Sequence, residues 1–250
     1  MARRLIFIAA LVLALALPFT TPGHAAGLGV LDLAPDNHGG QTYTVPVQLL
    51  LLMTGLVFLP AILLTMTAFT RIIIVLSLLR QALGLTQTPP NQILIGLSLF
   101  LTAFVMGPVI TRINADALQP LLNDKISVMD AIGKSEVPLK AFMLKQTRQD
   151  DLGMFLKLAG GKSYATPEQV PFRLLVPAFV TSELKTGFQI GFLIFLPFIV
   201  IDMVVAAVMM SLGMMLLSPT TVSLPIKLML FVLVNGWTLV IGSLSEGFIR

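Results

Sequence analysis

The chain has 250 residues, 56% of them apolar and 11% charged, with a mean hydropathy of +0.93. Average soluble domains carry roughly 25% charge, so an ordinary soluble enzyme is excluded in favour of a membrane protein or one piece of a large apolar assembly. A net charge of +4 without a basic cluster points away from nucleic acid, and the lack of cysteine excludes disulfides and thiolate metal sites.

The N-terminus reads as a targeting segment. Arg3 and Arg4 precede the apolar run "LIFIAALVLALAL", and Pro18, Pro22 and Gly23 then break it. Small residues at Gly23 and Ala25 predict a signal peptide over 1–25, cut after Ala25 or after Ala26. Residues 26–44 are short, polar and glycine-containing, and predict a flexible lead-in.

Val45 to Phe69 is an apolar stretch long enough to span a bilayer with tilt. Arg71 and Arg80 follow, then the turn "TQTPPNQ", then a second span candidate from Ile93 to Ile110. Together these predict a first apolar helical hairpin over 45–110. Over 111–186 the character changes: ten of the sixteen Lys and Arg and eight of the twelve Asp and Glu fall there. Leu118, Leu121, Leu122, Ile126, Val128, Met129 and Ile132 supply an apolar face, so the segment predicts a small extramembrane helical domain.

Gly187 to Leu217 is a 31-residue run with one charge, Asp202. As one helix it would be about 46 Å long, against a hydrocarbon core about 30 Å thick. It must kink, break or project beyond a bilayer, with Pro197 and Gly213 the natural places. Leu224 to Leu244 is the last span candidate, and 187–250 reads as a second apolar hairpin. "FLPAI" at Phe58–Ile62 and "FLPFI" at Phe195–Ile199 form a short echo, with Pro60 and Pro197 as corresponding kinks.

The fold class is therefore all-α and membrane-associated: two kinked apolar hairpins joined by a small extracytoplasmic helical domain. Orientation follows from charge. The short Arg71–Arg80 loop has no acid and reads as cytoplasmic, which puts 111–186 outside.

No catalytic motif is present: no H-E-x-x-H, no G-x-S-x-G and no Walker A loop, so neither an enzyme nor a cofactor is expected. In "SELKTGFQIGF" (Ser182–Phe192), Glu183 and Lys185 stand at the mouth of an apolar helix. Ser182 could cap it, leaving a solvated pair, or the charges could pair between subunits; Gln189, farther along the helix, could hydrogen-bond across helices. Asp202 reads either as a relay or as a structural acceptor for a donor on a neighbouring helix, and one lone acid makes a poor relay. Met203, Met210 and Met214 share one helix face, with Met209 and Met215 beside it. They suit bundle packing or a soft pore lining.

Three stretches carry a family resemblance: "LTMTAFTRIIIVLSLLRQALGLTQTPPNQILIGLSLFLTAF", "PAFVTSELKTGFQIGFLIFLPFIVIDMVVAAVMMSLGMMLL" and "LPIKLMLFVLVNGWTLVIGSL". They resemble the flagellar biosynthetic protein FliP family over most of 45–250. The resemblance implies a pore-forming subunit of the flagellar type III protein export gate in the bacterial inner membrane and flagellar basal body. It further implies a ring of several copies assembled with FliQ and FliR, associated with FlhB, and passing unfolded flagellar subunits. It maps a constriction loop onto Gly213, Met214, Met215 and Leu216, with Leu216 where familiar members carry another methionine. Virulence secretion subunits share the resemblance and form the alternative, with a small-molecule channel or secondary transporter behind them; the leader and lead-in look more like the flagellar branch.

Overall fold

The computed structural model describes residues 32–35, 41–44, 47–85, 87–160, 164, 166, 169–214 and 218–249. The chain divides into two units, Met1–Val57 and Phe58–Arg250. In the first, β1 (Asp32–Pro35) pairs antiparallel with β2 (Gln41–Thr44), Asp32 opposite Thr44 and Pro35 opposite Gln41. This pairing lies in the segment expected as a flexible lead-in, and it makes the chain mostly rather than wholly helical. Thr42, Tyr43 and Thr44 are strand-favouring types, a signal too short to outweigh the surrounding glycines in the sequence. Helix α1 (Val47–Thr65) begins in this unit.

The second unit is helical throughout its described regular elements. Helix α2 (Phe69–Ala82) buries Arg71, Ile72, Val75, Leu76, Leu79 and Ala82, a stripe at helical spacing. The break before α2 falls at 66–68, not at Pro60, which lies inside α1. Thr67 closes that break: its hydroxyl donates to the Leu64 carbonyl and accepts from the Phe69 N–H.

Helix α3 (Asn91–Val105) turns by 61° at Met106 into α4 (Gly107–Ile113) and its continuation. Pro108, near the start of α4, has no N–H with which to continue the α3 ladder. A π-helical turn (Asn114–Leu118) and the short α5 (Gln119–Leu122) follow. Helix α6 (Val128–Gln146) opens with a capping box, in which the Ser127 hydroxyl accepts from the Asp130 N–H and the Asp130 carboxylate accepts from the Ser127 N–H. Helix α7 (Gln149–Leu158) completes this region.

Helix α8 (Phe172–Ser211) is 40 residues long. It runs unbroken through the boundary expected at 186/187, and Pro177 and Pro197 both lie inside it. Its first turns supply Leu175, Ala178 and Phe179 to a core completed by Met143, Leu152 and Val170. The charged middle region is therefore organised on the start of α8. The apolar face expected to pack it internally is exposed instead at Leu118, Leu122, Val128, Met129 and Ile132. Helices α9 (Pro219–Leu233) and α10 (Gly236–Ile249) meet at 63° around Asn235, which takes a left-handed φ of 51°. A second core joins α2, α3 and α10 through Ile72, Leu76, Leu94 and Phe248; a third joins α2, α8 and α9 through Leu79, Phe198 and Phe231.

Two glycines set how closely α2 and α8 approach. A Cβ on Gly187 would stand 3.2 Å from Ile74 Cγ2, and one on Gly191 would stand 2.1 Å from Leu78 Cδ1. Spaced as G-x-x-x-G, they let a packed backbone-to-side-chain contact form without a hydrophobic driving force between helices. By length and apolarity α8 alone among the described helices can cross a membrane; four spans result if each bent helix pair is one span.

Candidate functional site

Polar side chains in the second unit gather along α8. Near its first third, the fully buried Glu183 accepts from Arg71 of α2: Nε donates to Oε2 at 2.9 Å, and Nη2 pairs with Oε1. The same Nη2 donates to Gln146 Oε1 at the end of α6, 3.0 Å away, and Gln146 Nε2 donates to the Phe248 carbonyl of α10. The guanidinium also lies 4.0 Å over the Phe248 ring. One arginine thus joins four helices, and its planar fork fits the carboxylate side-on.

Two sequence readings change here. Ser182 is no N-cap, because α8 starts ten residues earlier at Phe172; its hydroxyl donates to Asp151 Oδ2 at 2.7 Å and accepts from the Arg148 N–H at 3.0 Å. Glu183 has its partner within the chain, so an intersubunit ion pair does not describe it. Arg71 and Arg80 both lie in α2 rather than in a loop, Arg71 buried, so the orientation argument loses the short loop it was read from.

One turn farther along α8, Arg148 Nη2 donates to Thr186 Oγ1 at 3.1 Å and to Gln189 Oε1. Lys185 lies half-exposed, 3.8 Å from Asp151 Oδ1. Asp151 sits in the first turn of α7, where the helix dipole favours an acid.

Toward the other end of α8, Asp202 Oδ2 accepts from Lys227 Nζ of α9 at 2.6 Å, and Oδ1 accepts from Ser223 Oγ at 2.5 Å. Lys227 Nζ also donates to the carbonyl of Ala82, the last residue of α2, where a cation is favoured. Lys227 and Ser223 are buried, while the Asp202 side chain is one-third exposed. The sequence reading named the acid and not its two donors. The missed signal is that Lys227 is as isolated in its apolar stretch as Asp202 is in its own. Arg71 could have been matched to Glu183 by the same rule.

Helix α8 ends in a glycine cap. Gly213 has φ of 73°; its N–H donates to the Met210 carbonyl and the Met214 N–H to the Met209 carbonyl. These two bonds are the Schellman pattern, which needs a left-handed residue that glycine supplies without strain. Met203 and Met210 are exposed on α8 and Met209 is buried; Met214, expected on the same helix face, is exposed but lies past the left-handed Gly213, where the helical spacing no longer holds. Met215 and Leu216 of the expected constriction lie outside the described residues, as do Ala25 and Ala26 of the expected cleavage site. Among the described residues no group of His, Asp and Glu could hold a metal ion.

The arrangement defines a helical protein for apolar surroundings. Its buried charges neutralise one another inside the chain, and large apolar side chains cover α8, whose most apolar stretch is only 17% buried. The profile described as the FliP family matches residues 52–244, and the chain belongs to that family. It is 56% identical over 236 residues to the flagellar biosynthetic protein FliP of Pectobacterium carotovorum, covering 94% of this chain and 92% of that one. The protein of the same name from Bacillus subtilis is 54% identical over 202 residues, 81% of this chain and 91% of its own. That from Buchnera aphidicola of Acyrthosiphon pisum is 58% identical over 210 residues, 84% of this chain, which spans only 55% of that longer relative.

Proposed function

We propose that this chain is a core pore-forming subunit of the flagellar type III protein export gate, required for export of flagellar subunits and for flagellum assembly. Several copies form a ring, joined by FliQ, FliR and FlhB, in the inner membrane at the flagellar basal body. Unfolded flagellar subunits pass through its centre. Family membership and the relatives' shared name support the flagellar role. The observation that carries the pore reading is the exposure of Met203 and Met210 on α8 and of Met214 just past its Gly213 cap. Unbranched, polarizable side chains at a backbone break can seal against one another and still yield to different cargo. The chain acts by shape and apolar sealing rather than by catalysis.

An apolar ring blocks ions by dewetting even where it is not fully occluded. Replacing Met214, Met215 and Leu216 together by Ala removes most of that bulk from every copy, and Met214 lies past the end of α8. The variant should assemble and leak small ions in planar bilayers. Equal conductance for wild type and variant, with assembly intact, would place these residues in ordinary packing and overturn the reading. The leader is proposed to be removed after Ala25 or Ala26, so N-terminal sequencing of the membrane-bound protein should begin at Ala26 or Gly27.

A further inference from the structure

The charged start of α8 gives way to its apolar run within one turn, and an open groove marks the change. Lys185, Phe188, Gln189, Phe192 and Leu193 line it, around a volume of about 650 Å³. Phe188, Phe192 and Leu193 are exposed, by 58%, 60% and 64%. The next charge along α8 after Lys185 is Asp202, about 25 Å farther on.

Arg148 reaches this groove from the start of α7. Its Nη2 donates to Gln189, a lining residue, and to Thr186. Both partners are neutral, and among the described residues no carboxylate pairs with the guanidinium. Lys185 shares Asp151, but only at 3.8 Å, and the other oxygen of that acid accepts from Ser182. Asp150 lines a separate hollow with Met154 and Lys157. Two cations against one acid therefore stand at the head of an uncharged slot.

That pattern complements an amphiphile with an anionic head. The planar fork of an arginine fits phosphate oxygens side-on, and half of the Arg148 fork is free for it. The level is also the one at which a bilayer interface falls, where the charged segment meets the apolar run. Three large apolar side chains in one groove do not suit water, and a purely apolar helix laid over them would leave Arg148 covered without a counter-charge.

We infer that the groove binds an acidic phospholipid, its phosphate held by Arg148 with Lys185 beside it and an acyl chain lying along Phe188 and Phe192. The inference rests on the membrane setting proposed above and goes beyond it in placing one lipid on each copy.

The test uses the whole gate complex, stripped of native lipid in mild detergent. It is mixed with phosphatidylglycerol or with phosphatidylcholine of the same acyl chains, and native mass spectrometry counts the lipids retained. Phosphatidylglycerol should be retained about tenfold better, and Arg148→Gln should remove that preference, since a hydrogen bond to a charged group is at stake. Equal retention of the two lipids by the wild type, or an undiminished preference in Arg148→Gln, overturns the site. Inorganic phosphate displacing the lipid at equal concentration also overturns it, because the acyl chain would then contribute nothing. Photoreactive benzoylphenylalanine at Phe192, in native membranes, gives a readout that does not depend on Arg148 or on refolding a variant. A lipid adduct is expected; an adduct to a neighbouring copy or to a partner subunit assigns the groove to a protein contact and overturns the inference. A lipid adduct on a complex that holds a single copy of this chain overturns the ring and leaves the lipid site standing.

Discussion

Two of the ion pairs along α8 differ in a way that separates two jobs. Arg71 and Glu183 are sealed, with side-chain exposures of 5% and 0%, and their network joins α2, α6, α8 and α10. Asp202 and Lys227 join α8, α9 and the end of α2, with the acid one-third exposed. The first pair stands where the charged middle region meets the apolar helices. The second stands within three turns of the methionine end. A sealed pair loses heavily when broken and responds little to its surroundings; a partly open pair loses less and senses what comes near it.

The largest effect should follow removal of Glu183. In Glu183→Ala, Arg71 is left buried without its counter-charge, a loss of roughly 3–5 kcal/mol. The variant should be recovered poorly from membranes and unfold at lower temperature in detergent, and Glu183→Gln, which keeps the acceptor oxygen, should suffer less. If Glu183→Ala were as stable as wild type, the sealed pair would be no clamp.

Gly191→Ala tests the same clamp by packing. Its Cβ would stand 2.1 Å from Leu78 Cδ1 and 3.0 Å from Leu78 Cβ. Overpacking of this kind costs about 1–3 kcal/mol. Gly187→Ala should do less, its nearest clash being 3.2 Å. The two thermal shifts, measured side by side, check the order.

Asp202→Ala should cost less than either, about 1–3 kcal/mol before solvent screening of the exposed side lowers it. The sharper measurement is the double variant Asp202→Ala with Lys227→Met. If the pair serves only assembly, removing both charges should restore complex on native gels and export with it. Restored complex with abolished export would assign the acid to transport instead.

The smallest effect is at Asp130. Hydrogen bonds from the Ser127 hydroxyl and N–H hold its carboxyl below the usual carboxylate range. A group depressed in the folded state contributes stability above its unfolded pKa and loses it as pH falls through the folded value. The protection factor of the first-turn amides of α6, which is corrected for the intrinsic pH dependence of exchange, should therefore fall on acidification, while Asp130→Asn removes that fall.

Much of the architecture is legible in the residues one by one. The length of the run after Gly187, the glycine that must end it and the isolation of Asp202 all follow from composition and period. What resists reading is where a helix begins when its character changes midway. Helix α8 starts among charged residues because Ser182, Glu183 and Thr186 are satisfied by α2 and α7, contacts that no local pattern encodes. The exposure of Val128, Met129 and Ile132 was hidden for the same reason: their apolar character is local, and burial depends on what stands opposite. Arg71 looked like a loop cation because its acid lies 112 residues away. The candidate loop at Gly213 was visible through glycine chemistry, whereas Lys227 and Ser223 needed the antiparallel register of α8 and α9.

The unbroken length of α8 makes it a lever. A helix of 40 residues is about 60 Å long, and Met210 lies about 40 Å from Glu183 along the axis. With the fulcrum at the sealed arginine pair, a tilt of about 5° carries the methionine end sideways by about 3.5 Å, close to the width of one side chain. The Asp202–Lys227 tether sits on the long arm, where a small force has the greatest moment. Displacements too small to disturb packing in the charged region are thereby magnified to the width of a side chain at the other end.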